Sequence, residues 1–206
     1  ALPRIRQLIF EGKNKEAQEL CGPTICSPSA NGMPYQTVGS LHLDFDGISN
    51  YNDYYRDLDI AKAIATTRFT TNGVTYTREA YTSFPDQVLV IRLTASQKKS
   101  ISFTAKYTTP YKSNVVRSIS SRKELQLSGK ANDHEGIEGK VEFTALTRIE
   151  NNGGSLEATS DSTLQVKNAN SVTLYVSIGT NFVNYKDVSG NALSTAQKYL
   201  KQVNKN

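Results

Sequence analysis

The chain predicts a mainly β fold: a large antiparallel β-sandwich with short helices at the N- and C-terminal ends. Three observations carry that prediction. Apolar and polar residues alternate from Leu41 to Ile178, the period of half-buried strands. Asn72-Gly73 separates two β-branched and aromatic runs, Thr66–Thr71 and Val74–Ala80, and accepts the two positive φ angles of a type I′ turn. No helical periodicity interrupts the strands, so a sandwich fits better than a parallel sheet with crossover helices, and a barrel is the runner-up. A fixed-period repeat is absent, which argues against a propeller or a solenoid.

Leu2–Leu20 has apolar residues at three- and four-residue spacing, with Pro3 suited to a first turn. Gly12 and Asn14 break it into two expected helices, Pro3–Phe10 and Lys15–Cys21. Gly22–Tyr35 is rich in Gly, Pro and Asn and reads as a loop long enough to be mobile or functional. Strands are then expected at Leu41–Phe45, Tyr54–Ile60 and Lys62–Thr71, and after the hairpin at Val74–Ala80. Val88–Leu93 is a nearly continuous apolar run, as in a strand covered on both faces. Alternation returns at Ile101–Tyr107, at Leu125 and Leu127, and from Val141 to about Ile149. Asn151–Gly154 is a second hairpin turn, followed by strands around Leu156–Ala158, Leu164–Val166 and Val172–Ile178. Ser194–Val203 closes the chain as a helix with Ser194 as its expected N-cap.

The chain has 206 residues, with 24 basic and 19 acidic side chains and a net charge of +5. The basic residues are scattered, densest at Lys98-Lys99 and Lys198–Lys205, and read as a solvated surface rather than a nucleic-acid footprint. No apolar span is long enough for a transmembrane helix, so no membrane partner is expected. The opening ALPRIRQLIFEG lacks the basic start and long apolar core of a signal peptide. Cys21 and Cys26 are too few and too isolated for a zinc site. They read either as a local disulfide in an exported protein or as two reduced loop thiols.

Several residues bear chemistry. Asp57 and Asp59 share a strand face, and turn or strand-edge hydrogen bonding suits them better than catalysis. Asp133-His134-Glu135-Gly136 is the densest polar cluster. It fits a loop whose Asp caps backbone amides, an acid–base or metal group, or a surface at the edge of a neighbouring domain's site. Tyr35-Gln36 follows the long loop and fits either a ligand or domain contact or a satisfied turn. The many tyrosines read first as half-buried strand residues, since Trp, the larger platform for a sugar ring, is absent. No phosphate-cradling Gly loop, nucleophile elbow or zinc-protease motif occurs, so no cofactor and no metal are expected.

One stretch, NGVTYTREAYTSFPDQVLVIRLTAS, resembles the N-terminal β-domain of glycoside hydrolase family 95, the α-L-fucosidases and α-L-galactosidases. LPRIRQLIFEGKNKEAQELC is similar to that family's helical lead-in, and PYQTVGSLHLDF to its Pro-Tyr-Gln-Pro-Leu-Gly-x-Leu pattern, with Thr37 replacing a proline. YYRDLD, DHEGIEGK and TNFVNYKDVSG resemble further stretches in the same order. The resemblance implies a single, supersandwich-like N-terminal domain over residues 1–206: a helical lead-in and loop at 1–35, the sandwich at 36–182, and an exit segment and helix at 183–206. It implies a Gly-Asn-Gly-rich strand upstream of Ala1 and, downstream, an (α/α)₆ catalytic barrel and a C-terminal β-domain. The family's acid and base groups lie in that barrel, so no catalytic residue is carried onto this chain. Periplasmic or secreted location and a fucosylated or galactosylated glycan substrate for the whole enzyme are likewise implied. Tyr35, Gln36, Asp133, His134 and Glu135 are then the candidates for substrate or domain-interface contact. A free-standing carbohydrate-binding β-sandwich is the alternative reading. With either, the loops around these residues and the terminal helices are expected to expose apolar surface.

Overall fold

The computed structural model describes residues 1–25, 32–48, 50–111, 115–119 and 123–203. They form two compact units: Ala1–Gln36 with Asn132–Gly139, and Thr37–Ala131 with Lys140–Asn206.

The smaller unit is built on two helices, α1 (Leu2–Phe10) and α2 (Asn14–Ile25). Ile5 and Leu8 of α1 pack on Ala17 of α2, with Leu20 and Cys21 at the margin. Gly12 ends α1 with φ +75°. Its N–H bonds Ile9 O, and the Lys13 N–H bonds Leu8 O at 2.8 Å, the paired bonds of a Schellman cap. The break expected at Gly12 is therefore a helix stop chosen by backbone conformation. The second helix, expected to end at Cys21, runs four residues further through Gly22 and Pro23. Pro23 falls in the last turn, where its missing N–H deprives only the Glu19 carbonyl of a helical partner, and the Thr24 hydroxyl donates to Leu20 O beside it. Cys26 lies outside the described residues, and with it the question of a Cys21–Cys26 bridge.

Among its described residues the larger unit holds twelve strands: β1 (Ser40–Asp44), β2 (Asn52–Asp59), β3 (Ile64–Thr71), β4 (Val74–Ser83), β5 (Val88–Ala95), β6 (Ile101–Thr108), β7 (Val115–Ile119), β8 (Glu124–Lys130), β9 (Glu142–Asn152), β10 (Ser155–Ser160), β11 (Thr163–Ala169) and β12 (Ser171–Thr180). They form two antiparallel sheets, ordered β1-β6-β11-β10 and β2-β3-β4-β5-β12-β9-β8-β7. Alternation lets each strand give one face to the space between the sheets. Ile101, Phe103, Ala105 and Tyr107 of β6 and Leu164 and Val166 of β11 meet Leu93, Leu125, Leu127, Ala145, Ile149, Val172 and Leu174 of the larger sheet. The mainly β sandwich expected from the period-2 pattern is the observed fold.

A third layer covers the outer face at the middle of the larger sheet. Helix α3 (Ala192–Gln202) places Ala196 and Leu200 on Val88, Val90 and Leu146. This explains the continuous apolar run in β5: Val88 and Val90 face the helix, while Ile91 and Leu93 face the sandwich. Ser194 is not the N-cap of α3. Asn191 is, and its Oδ1 accepts the Ser194 N–H at 2.8 Å. Asn191 has the extended backbone of an N-cap, and the Ser194 hydroxyl, already inside the helix, turns back to Asn191 O at 3.0 Å. Strand β7 was not expected from the sequence. The Asn72-Gly73 turn joins β3 to β4 with Thr71 paired to Val74 and φ of +49° and +74°, as a two-residue I′ hairpin requires.

Candidate functional site

In the smaller unit, the candidate residues fall on two segments far apart in sequence that meet through one hydrogen bond. Gln36 Oε1 accepts the Asn132 backbone N–H at 3.1 Å. Asn132–Gly139 folds as a tight turn, with His134 and Ile137 exchanging backbone bonds at 3.0 and 2.9 Å. Glu135 and Gly136 occupy its tip at φ +48° and +77°, the pairing of a primed turn. Asp133 Oδ1 closes the loop by accepting the Gly139 N–H at 2.9 Å. His134 Nε2 stands 3.7 Å from Glu135 Oε1, close enough to pair when the imidazole is protonated. Tyr35 is 92% exposed. Thus Gln36 and Asp133 spend their side chains on holding the loop, while Tyr35, His134 and Glu135 are presented at its surface. Among the described residues no group of three His, Cys, Asp or Glu side chains is placed to hold a metal ion. No described helix is long and apolar enough to cross a membrane.

The apolar exposure expected around these segments is present on the N-terminal side, whereas α3, also expected to expose apolar surface, buries Ala192, Ala196 and Leu200 instead. Leu2, Ile9 and Phe10 of α1, Ile25 of α2, Met33, Tyr35 and Ile137 are all exposed, Phe10 by 88%. Among the described residues, only Ile5, Leu8 and Ala17 are buried between the helices. So small a core leaves the outward apolar side chains in water, a pattern that marks an interaction surface.

A second site lies in the larger unit and was not anticipated. The eight-stranded sheet is wider than its partner, and the inner face of β2, β3 and β4 extends past the edge of the four-stranded sheet. A hollow of about 500 Å³ opens there, walled by Tyr54 and Arg56 of β2, Phe69 of β3 and Arg78 of β4, with Ile48 and Tyr51 from the β1–β2 connection. The connection is held in place by the Thr71 hydroxyl, which donates to Asn50 O at 2.6 Å. Tyr51 packs against Tyr54 and edge-on to Phe69, with ring centres 5.7 and 6.1 Å apart. Arg78 lies over the Phe45 ring at 5.8 Å, and its Nε is buried without a hydrogen-bond partner. Burial holds its guanidinium below the ordinary arginine pKa, opposed by the neighbouring Tyr54. Asp57 borders the hollow at the sheet edge. Asp59 is spent on the next turn: its Oδ1 accepts the Ala61 and Lys62 N–H groups at 3.0 Å, and Lys62 Nζ pairs with it at 3.1 Å. Those bonds, led by the Lys62 backbone, hold the Asp59 carboxyl below its usual range.

Two antiparallel sheets packed face to face and closed on the outer face by a helix define a β-sandwich domain. The chain belongs to the family described as "Glycosyl hydrolase family 65, N-terminal domain", whose model matches residues 1–185. Similar curated proteins carry the fucosidase name that the resemblance to family 95 led us to expect. Alpha-L-fucosidase 2 of Arabidopsis thaliana is 28% identical over 88% of this chain and 24% of that protein. A probable alpha-fucosidase A of Aspergillus niger is 33% identical over 47% of this chain and 12% of that protein. The chain thus spans about a quarter or less of the curated relatives it matches. A solved structure described as "Putative kojibiose phosphorylase from human microbiome" superposes with a TM-score of 0.48 at 15% identity, covering 81% of this chain and 25% of that one.

Proposed function

We propose that this chain is the non-catalytic N-terminal β-domain of an exo-acting α-L-fucosidase-like glycoside hydrolase. The whole enzyme would remove terminal α-L-fucosyl or α-L-galactosyl units with inversion, in carbohydrate metabolism outside the cytoplasm. The carrying observation is the pattern of coverage: the match fills most of this chain but only about a quarter of the Arabidopsis relative. The remainder of such a protein has room for a catalytic (α/α)₆ barrel. The exposed apolar side chains of α1, α2, Met33, Tyr35 and Ile137 give the surface on which that barrel would pack. Interfaces between domains of one chain bury roughly 600–1,500 Å². His134, Glu135 and Tyr35, presented beside that apolar surface, are the residues suited to reach the margin of a neighbouring active site.

Inverting hydrolysis needs an acid and a base carboxylate roughly 6.5–9.5 Å apart, with a water between them. On this reading both come from outside residues 1–206. Pure chain incubated with an aryl α-L-fucoside is expected to release no aryl alcohol above a no-protein control. Turnover that disappears on substituting any carboxylate within 1–206 would overturn the proposal.

A further inference from the structure

We propose that the hollow on the overhanging inner face of β2, β3 and β4 binds a carboxylate-bearing saccharide, a hexuronate unit of an acidic glycan. The inference goes beyond the proposed function, because it assigns a ligand to this domain itself and needs no catalytic partner. Two observations carry it. The first is charge without a protein counterpart. Arg78 lines the hollow with a guanidinium whose buried Nε has no hydrogen-bond partner among the described residues, and Arg56 stands on the same face of the neighbouring edge region. Buried donors are almost always satisfied in folded proteins, so an unmet guanidinium N–H points to an acceptor supplied from outside. The planar fork of an arginine matches the two oxygens of a carboxylate.

The second observation is the wall. Tyr51, Tyr54 and Phe69 line the same hollow, and Tyr51 and Tyr54 are 59% and 54% exposed. Rings that the core had no room for offer broad apolar faces with polar tips, which suit the mixed surface of a pyranose. The volume, about 500 Å³, lies in the range of formed small-ligand sites. An acidic peptide could meet the guanidinium groups, but its flexible side chains would leave the aromatic wall unused.

The test is calorimetric titration of the chain with trigalacturonate, with maltotriose and hexaglutamate as comparison ligands. Saturable binding of trigalacturonate that weakens as salt is raised is expected, with maltotriose much weaker and hexaglutamate weaker still. Arg78→Met should weaken it by about tenfold or more, the loss of one charge-assisted pair. Because Arg78 is half-buried, Arg56→Gln on the exposed strand is the companion variant. It should weaken binding several-fold while leaving the melting temperature unchanged. Tyr54→Phe should retain binding and Tyr54→Ala should lose most of it. Absence of saturable binding, equal binding of maltotriose, equal binding of hexaglutamate, or indifference to Arg56→Gln would each overturn the proposal. None of these outcomes bears on fucoside hydrolysis, so the two readings fail separately.

Discussion

Tyr107 ties the two sheets together with a polar bond in an apolar interior. It projects from β6, and its hydroxyl lies 2.6 Å from Oγ1 of Thr147 on β9, a residue with no solvent exposure. Burial pushes the phenol pKa up to about 12, and the bond to Thr147 opposes that shift only in part. In the unfolded chain the phenol ionises near 10. Between those values the unfolded state has released a proton that the folded state keeps. The stabilising contribution is therefore complete below about pH 10 and is lost as pH rises toward 12. Tyr107→Phe should lower stability by about 1–3 kcal/mol, because the Thr147 hydroxyl is left buried without a partner. It should also reduce the alkaline loss, since no phenol remains at position 107 to ionise. Urea unfolding of both proteins at about pH 8 and about pH 11 measures the two effects together. A variant as stable as the parent at the lower pH would show that the bond contributes nothing net.

At the scale of elements, two turns with similar conformations should respond differently to the same change. Gly73 in the β3–β4 turn has φ +74° and open space where a Cβ would go. Gly73→Ala should cost about 1–2 kcal/mol, the strain of a left-handed residue alone. Gly154 in the β9–β10 turn has φ +67°, but an added Cβ would collide with Lys167 O and stand 2.6 Å from the Asn168 carbonyl carbon. Gly154→Ala adds roughly 1–3 kcal/mol of overpacking against a backbone that cannot swing aside. Equal midpoints in chemical denaturation would refute the distinction. Both turns were legible because Asn-Gly and Gly-Gly leave few alternatives, and most strands were legible because one buried face imposes a period of two. The end of α2 was not, since Gly22-Pro23 has the composition of a loop and only its place in the last turn makes it tolerable. The candidate loop was legible from its polar cluster, Asp133-His134-Glu135. Its bond to Gln36, 96 residues away, was not. The hollow escaped for a different reason. Tyr54, Phe69 and Arg78 alternate like any strand residues, and alternation says which side chains share a face without saying whether another sheet covers it.

For the whole molecule, the decisive fact is the place of the last strand. Strand β12 lies in the middle of the eight-stranded sheet, hydrogen-bonded to β5 on one side and to β9 on the other. Remove it and two antiparallel blocks remain, β2-β3-β4-β5 and β9-β8-β7, each with a bare inner edge. The layer formed by α3 goes too, exposing Val88, Val90 and Leu146. A chain ending at Asn170 should therefore lack a cooperative thermal transition and bind a hydrophobic dye, while keeping much of its β circular-dichroism signal. A sharp melt in that truncation would mean that the four-stranded sheet and hairpins suffice alone. The central position of β12 also sets a schedule. During synthesis the hairpins can close as they emerge, but the sheet has nothing to join them until residue 180 has left the ribosome. The nascent domain must wait with two open edges, and edges of that kind pair readily with other chains. Charged residues on the waiting strands, Arg92 of β5 and Arg148 and Glu150 of β9, would then serve the newborn chain before they serve the finished one.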